Sequence, residues 1–120
     1  MSTLAPREKR KLEDLFGMSS GYVLDFSNST FARFFEEVVY LDIYGGKYSE
    51  YGSSKANHLR SFWTKEDDFL VGRVILGLLE HCGDTGHPAL ERQALFKECE
   101  AIGTRLAQAK AVADIEAIEG

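Results

Sequence analysis

The stretch from residue 53 to residue 81, SSKANHLRSFWTKEDDFLVGRVILGLLEH, constrains this chain most. It holds the sole tryptophan, Trp63, and the longest apolar run, residues 69–79, interrupted by Gly72, Arg73 and Gly77. The pattern predicts two consecutive helices with a break at Thr64. Ser53 or Ser54 is placed to cap the first, because a serine oxygen accepts an orphan backbone N–H at a helix start. Thr64 is placed to cap the second, and Asp67 follows three residues on, where an acid suits the positive end of the helix dipole. The second helix, residues 66–82, has almost no polar face, so its neighbours must bury it. Its apolar run falls short of the roughly 20 residues that a bilayer span needs.

Composition supports a packed core. The 120 residues fit one domain, and 44% hydrophobic with 12% aromatic content is richer than a disordered chain carries. The net charge of −5 is uneven. Residues 1–60 hold eight Lys/Arg against eight Asp/Glu, and residues 61–120 hold six against eleven. The acidic half disfavours broad nucleic-acid binding, since phosphate contact needs a local excess of cations. Two cysteines, Cys82 and Cys99, are too few for a disulfide framework and fit a reducing compartment. The amino terminus runs directly into charge with no apolar signal segment, which makes the cytoplasm the expected location and a membrane partner unexpected.

Three further helices are expected. Pro6 suits a first helical turn and Gly17 a stop, giving a helix over 6–16 whose apolar edge is Leu12, Leu15 and Phe16. Arg7, Lys9, Arg10 and Lys11 lend it a basic face, which ordinarily is just solvated. Ser27 or Asn28 caps a helix over 29–40 carrying Phe31, Phe34, Phe35, Val38 and Val39 at helical spacing. A long helix over 88–118 carries Leu95, Cys99, Ile102, Leu106, Ala109 and Ala113 in alternating steps of four and three, a heptad-like seam. That seam is expected to dock on the core; a homodimer through 89–118 is the other outcome. Residues 22–26 and 41–44 are the two places where a short β element fits. The predicted fold is therefore mainly α: five helices around 66–82 in a single domain, residues 1–120. Its core is expected to include Leu59, Phe62, Trp63, Leu70, Val74, Ile75, Leu78 and Leu79.

Chemistry is sparse. The stretch LDIYGGKYSEYG, residues 41–52, sets tyrosines among glycines. Such a loop either folds back as a lid or presents rings to a ligand. Gly46 to Lys55 is too long for a phosphate loop, whose two glycines are separated by four residues with Lys following directly. Arg73 in an apolar helix needs a partner, with Glu36, Glu37 or Asp25 as the candidates. Cys82 and His87 have nearly a local zinc spacing, but Cys99 is distant and His81 adjoins Cys82, so no metal is expected. Asp25, Asp42, Glu36 and Glu37 follow no recognisable Mg²⁺-nuclease spacing. No cofactor and no catalytic set is predicted.

The segments PREKRKLEDLFGMSSGYVLDFSNSTFARFFEEVV, LDIYGGKYS, GSSKANHLRSFW and LVGRVILGLL resemble a bacterial family. The most specific pieces are Leu15-Phe16-Gly17-Met18, residues 22–26, Ser54-Lys55-Ala56-Asn57, and Leu59-Arg60 with Phe62-Trp63. They are similar to the N-terminal domain of abortive-infection proteins of the AbiJ type, over residues 4–82. The resemblance implies phage defence, with a sensing or docking domain that precedes an effector, often a HEPN ribonuclease. Here Arg73 and His81 stand seven residues apart, outside the four to six of the HEPN active site, so the ribonuclease is not carried over. The expected role is a non-catalytic sensor or interaction module with a protein effector or effector domain as partner. The alternative is a nucleic-acid- or nucleotide-binding module. The expected recognition surface is Arg7, Arg10, Tyr44, Lys47, Tyr48, Tyr51, Lys55, Asn57 and Arg60.

Overall fold

The computed structural model describes the backbone of residues 2–85 and 90–119, and the side chains of residues 2–82 and 92–109. Among the described residues five helices follow one another: α1 (Pro6–Leu15), α2 (Asn28–Val39), α3 (Lys55–Lys65), α4 (Asp68–Thr85) and α5 (Leu90–Glu119), with one 3₁₀ turn at Met18–Ser20. The described residues contain no strand, so the fold is mainly α as the periodicity requires. None of their helices is long and apolar enough to cross a membrane.

Local chemistry sets most of the boundaries. Pro6 opens α1, and the Glu8 carboxylate accepts the Ala5 N–H at 2.9 Å. The Ser27 hydroxyl accepts the Thr30 N–H at 3.2 Å and starts α2, which ends at Tyr40 in a left-handed conformation (φ 57°). Ser54 caps α3 by accepting the Asn57 N–H at 3.1 Å. The boundary between α3 and α4 corrects the expected cap. Thr64 lies inside α3 and donates its hydroxyl to the Arg60 carbonyl at 2.9 Å, as threonines within helices do. Asp67 takes the capping role, accepting the Leu70 N–H at 3.0 Å. Helix α4 continues to Thr85, three residues beyond its expected end at residue 82. Residues 86–89, with His87 and Pro88, lie outside the described residues.

The two short β elements are turns instead. Between Tyr22 and Phe26 the chain reverses at Leu24, whose φ is 49°. The Phe26 N–H reaches the Val23 carbonyl at 3.2 Å and the Leu24 N–H reaches Phe16 at 2.9 Å. Beyond α2, the Gly45 N–H closes on the Asp42 carbonyl at 3.1 Å. An isolated β-rich segment has no ladder to join, so its buried amides find partners in turns. Val23, Phe26 and Ile43 enter the core from these turns.

Helix α4 lies between α2 and α5. On one side Gly72 meets the α5 backbone: a Cβ there would stand 2.3 Å from the Ala107 nitrogen and 2.8 Å from the Gly103 carbonyl oxygen. On the other, Gly77 lies under Phe34, with 3.0 Å between a notional Cβ and the ring. Val71, Val74, Ile75, Leu78 and Leu79 are buried between those neighbours. Leu70, expected in the core, is half-buried at its margin, as are Phe34 and Val38. From α5, Cys99, Ile102 and Leu106 enter the same core and Leu95 packs against it. These four seam positions are thus occupied within the molecule, as the docking expectation has it; Ala109 is exposed, and the Ala113 side chain lies outside the described residues.

Ion pairs line the joint of α1 with α5: Glu8–Arg105 at 2.8 Å, Lys11–Glu98 at 3.5 Å and Asp14–Arg92 at 3.4 Å. Residues 8, 11 and 14 share one face of α1 and meet α5 in descending order, as two antiparallel helices require. Exposed pairs of this kind are worth at most about 1 kcal/mol each, so they set register more than stability. Arg73 corrects the expected ion pair. It is exposed, stands 5.7 Å from the Phe69 ring centre, and has no carboxylate partner among the described residues. Its sequence-predicted partner Asp25 pairs with His81.

Candidate functional site

The starts of α2 and α3 and the loop after the 3₁₀ turn enclose a cleft of about 340 Å³, lined by Ser20, Gly21, Tyr22, Asn28, Ser53, Ser54 and Lys55. Three local features assemble it. Gly21 adopts φ 90°, which lets the loop turn back, and its carbonyl accepts the Ala56 N–H at 3.0 Å. Serine caps open both helices, so Asn28 and Lys55 are their first residues. The Lys55 ammonium stands 4.7 Å from the centre of the Tyr22 ring and 3.3 Å from Asn28 Oδ1. That oxygen also accepts the Tyr44 hydroxyl at 3.2 Å. Tyr22 is 58% exposed, so a cation, an amide and an open aromatic face meet at one solvent-accessible point. Both helices direct the positive ends of their dipoles here, which suits an anionic group.

The nine residues expected at a recognition surface do not form one surface. Tyr48 is 2% exposed and packs edge-on to Phe62, so it is a core residue. Its hydroxyl donates to Glu66 Oε2 at 2.6 Å, and Lys47 binds the same oxygen at 2.7 Å. Burial opposes the Glu66 charge, yet the Lys47 and Tyr48 hydrogen bonds hold its pKa below the ordinary value. Burial, reinforced by Glu66, pushes the Tyr48 phenol well above its ordinary range. Tyr44 is half-buried against Phe31 and His58, and burial raises its pKa too. Asn57 and Arg60 are joined to each other at 2.8 Å, and Arg60 reaches Glu13 at 3.0 Å and the Met18 carbonyl at 3.4 Å. These two residues fasten α3 to α1. Tyr51 is 48% exposed, and the neighbouring Glu50 pairs with Lys65 at 3.5 Å. Lys55 belongs to the cleft. Arg7 and Arg10 lie on α1, in a separate cleft.

The residues that sequence reasoning missed are Tyr22 and Asn28. Tyr22 reads as part of a β-like stretch and Asn28 as a cap. The available signal was two serine caps, at Ser27 and Ser54, each followed by a polar first helical residue.

A second polar contact joins the turn before α2 to α4. His81 Nε2 is 2.6 Å from Asp25 Oδ1, and the imidazole stacks on Phe26 with ring centres 4.3 Å apart. The His81 hydrogen bond holds the Asp25 carboxyl below its ordinary pKa. Asp42 instead accepts the Tyr44 N–H at 3.0 Å within its own turn. Among the described residues no three His, Cys, Asp or Glu side chains converge as metal ligands. Cys82 is half-buried, and burial raises its thiol pKa; burial raises that of Cys99 to about 12.

The described residues form a helical domain with a small polar cleft between the starts of α2 and α3. No protein-family model matches this chain, and no curated protein or solved structure is significantly similar to it.

Proposed function

We propose that this chain is a non-catalytic recognition module of the abortive-infection type, which reads a phage-derived signal or an effector through the cleft between α2 and α3. The observation that carries this reading is the Lys55–Tyr22 pair at 4.7 Å, open to solvent and bordered by Asn28. The defence context rests on the resemblance of residues 4–82. A lysine beside an exposed ring favours a ligand with an anionic group next to a flat or apolar part, since the ammonium takes the charge and the ring the face. A nucleotide has that chemistry, so nucleotide binding is the second reading; Lys55, Tyr22 and Asn28 support it, where the sequence pointed to the basic first helix and the tyrosines of 41–52.

The test is a pull-down from the native host of the tagged chain alongside Tyr22→Ala and Lys55→Glu variants, with bound protein and nucleotide both identified. The expected result is one dominant partner or ligand that both variants lose while keeping their helical circular dichroism. Unchanged recovery by both variants would remove the cleft from recognition. Loss of phage protection in the same variants ties binding to defence.

A further inference from the structure

A larger cleft lies elsewhere, where the amino-terminal turn of α1 meets α5. It encloses about 650 Å³ and is lined by Thr3, Pro6, Arg7, Glu8, Arg10 and Arg105 among others. That volume falls within the range of about 300–1,000 Å³ typical of small-ligand sites. Arg7 and Arg10 are three apart on α1 and share a face, both exposed. Neither has a hydrogen-bond or ion-pair partner among the described residues. Arg105 arrives from α5, nearly a hundred residues away in sequence, and is held in place: its Nη2 donates to both Glu8 oxygens at 2.8 Å, and its Nη1 lies 3.4 Å from Thr3 Oγ1. Glu8 is in turn fixed by the Ala5 N–H. Thr3 is anchored through its N–H and hydroxyl to Asp68 at 2.6 and 2.8 Å. One guanidinium is therefore pre-positioned and two are free, with three arginines set against one lining carboxylate.

We infer that this cleft binds a compact oligophosphate group, such as the di- or triphosphate of a nucleotide. Guanidinium forks match phosphate oxygens in pairs and hold them more strongly than neutral donors do. No aromatic side chain lines the cleft, so it has nothing on which to stack a base and recognises the phosphate end alone. The molecule's net charge of −5 decides between ligand lengths. A long polyanion would run onto the acidic remainder of the surface and be repelled, whereas a short one stays within the arginines' reach. The inference is independent of the α2–α3 cleft and stands if that cleft binds nothing.

The experiment is isothermal titration of the whole chain with inorganic tripolyphosphate, with a short oligothymidylate and an oligoglutamate peptide as competing probes. The variant is Arg7→Gln with Arg10→Gln, whose exposed side chains make no hydrogen bond or ion pair among the described residues. The control is Arg33→Gln with Lys97→Gln, which removes the same charge from exposed positions outside the cleft. Saturable one-to-one binding of tripolyphosphate is expected, weakened by about tenfold or more in the variant and by far less in the control. Absence of saturable tripolyphosphate binding, or equal weakening in variant and control, overturns the inference. So does preference for the oligothymidylate or the peptide, which would assign the cleft to an extended polyanion or an acidic protein.

Discussion

At the scale of single residues, polar groups here are distinguished by whether a neighbour already occupies them. Tyr48, Asn57 and Arg60 look like surface chemistry in the sequence, yet each is bonded to its own fold. Arg7 and Arg10 keep their charge directed at solvent, and Lys55, which donates to the neutral Asn28 amide oxygen, meets no carboxylate among the described residues. Asp25 is intermediate, an exposed carboxylate joined to His81. Its pKa is lowered in the folded state, so the pairing stabilises the fold above the unfolded aspartate value and that stabilisation is lost as pH falls through the lowered one. The melting temperature of Asp25→Asn should therefore lie below that of wild type near neutral pH. The gap should close as pH drops below the ordinary aspartate value of 3.8. A gap that is constant to the acid limit would mean that the pair does not hold in solution.

At the scale of elements, α4 is fixed by two contacts of different character. Gly72 faces backbone, which cannot move without separating α4 from α5. Gly77 faces the end of the half-buried Phe34 ring, which can shift. Gly72→Ala should cost about 3 kcal/mol or more, as overpacking against rigid atoms does. Gly77→Ala should change stability by less than about 1 kcal/mol, because the gain in helix propensity offsets the displacement of Phe34. Denaturant unfolding of the two variants checks this, and equal costs would mean that the crossing of α4 and α5 is looser than the 2.3 Å approach requires. The sequence shows two glycines inside the apolar run. It carries no information on which one meets backbone, because that depends on where α5 crosses.

At the scale of the whole molecule, the two cysteines report on how α5 closes the core. Cys99 is fully buried where α5 docks, with its pKa raised to about 12, whereas Cys82 is half-buried. Near pH 8 a thiol of that pKa is ionised in about one molecule in ten thousand, and the thiolate is the reactive form. With a disulfide reagent and no denaturant, Cys82 should react and Cys99 should not until the chain unfolds. Cys82→Ser should abolish the native reaction and Cys99→Ser should leave it. Rapid native modification of both thiols would mean that α5 detaches readily from α1 and α4.

The sequence by itself determined the helical class, five helices, the serine caps of α2 and α3 to within one residue, and a central apolar helix. These follow from interactions within a few residues: serine caps, the 3.6-residue period and the absence of any partner for a lone β-like segment. Tertiary structure decided the rest. It made Asp67 rather than Thr64 the cap of α4, drew Tyr48 into the core, and turned the α5 seam inward. It also brought Lys55 to Asn28 across 27 positions and set Arg105 into the cleft of Arg7 and Arg10. Contacts over such separations depend on how finished helices pack, and no local pattern encodes that packing.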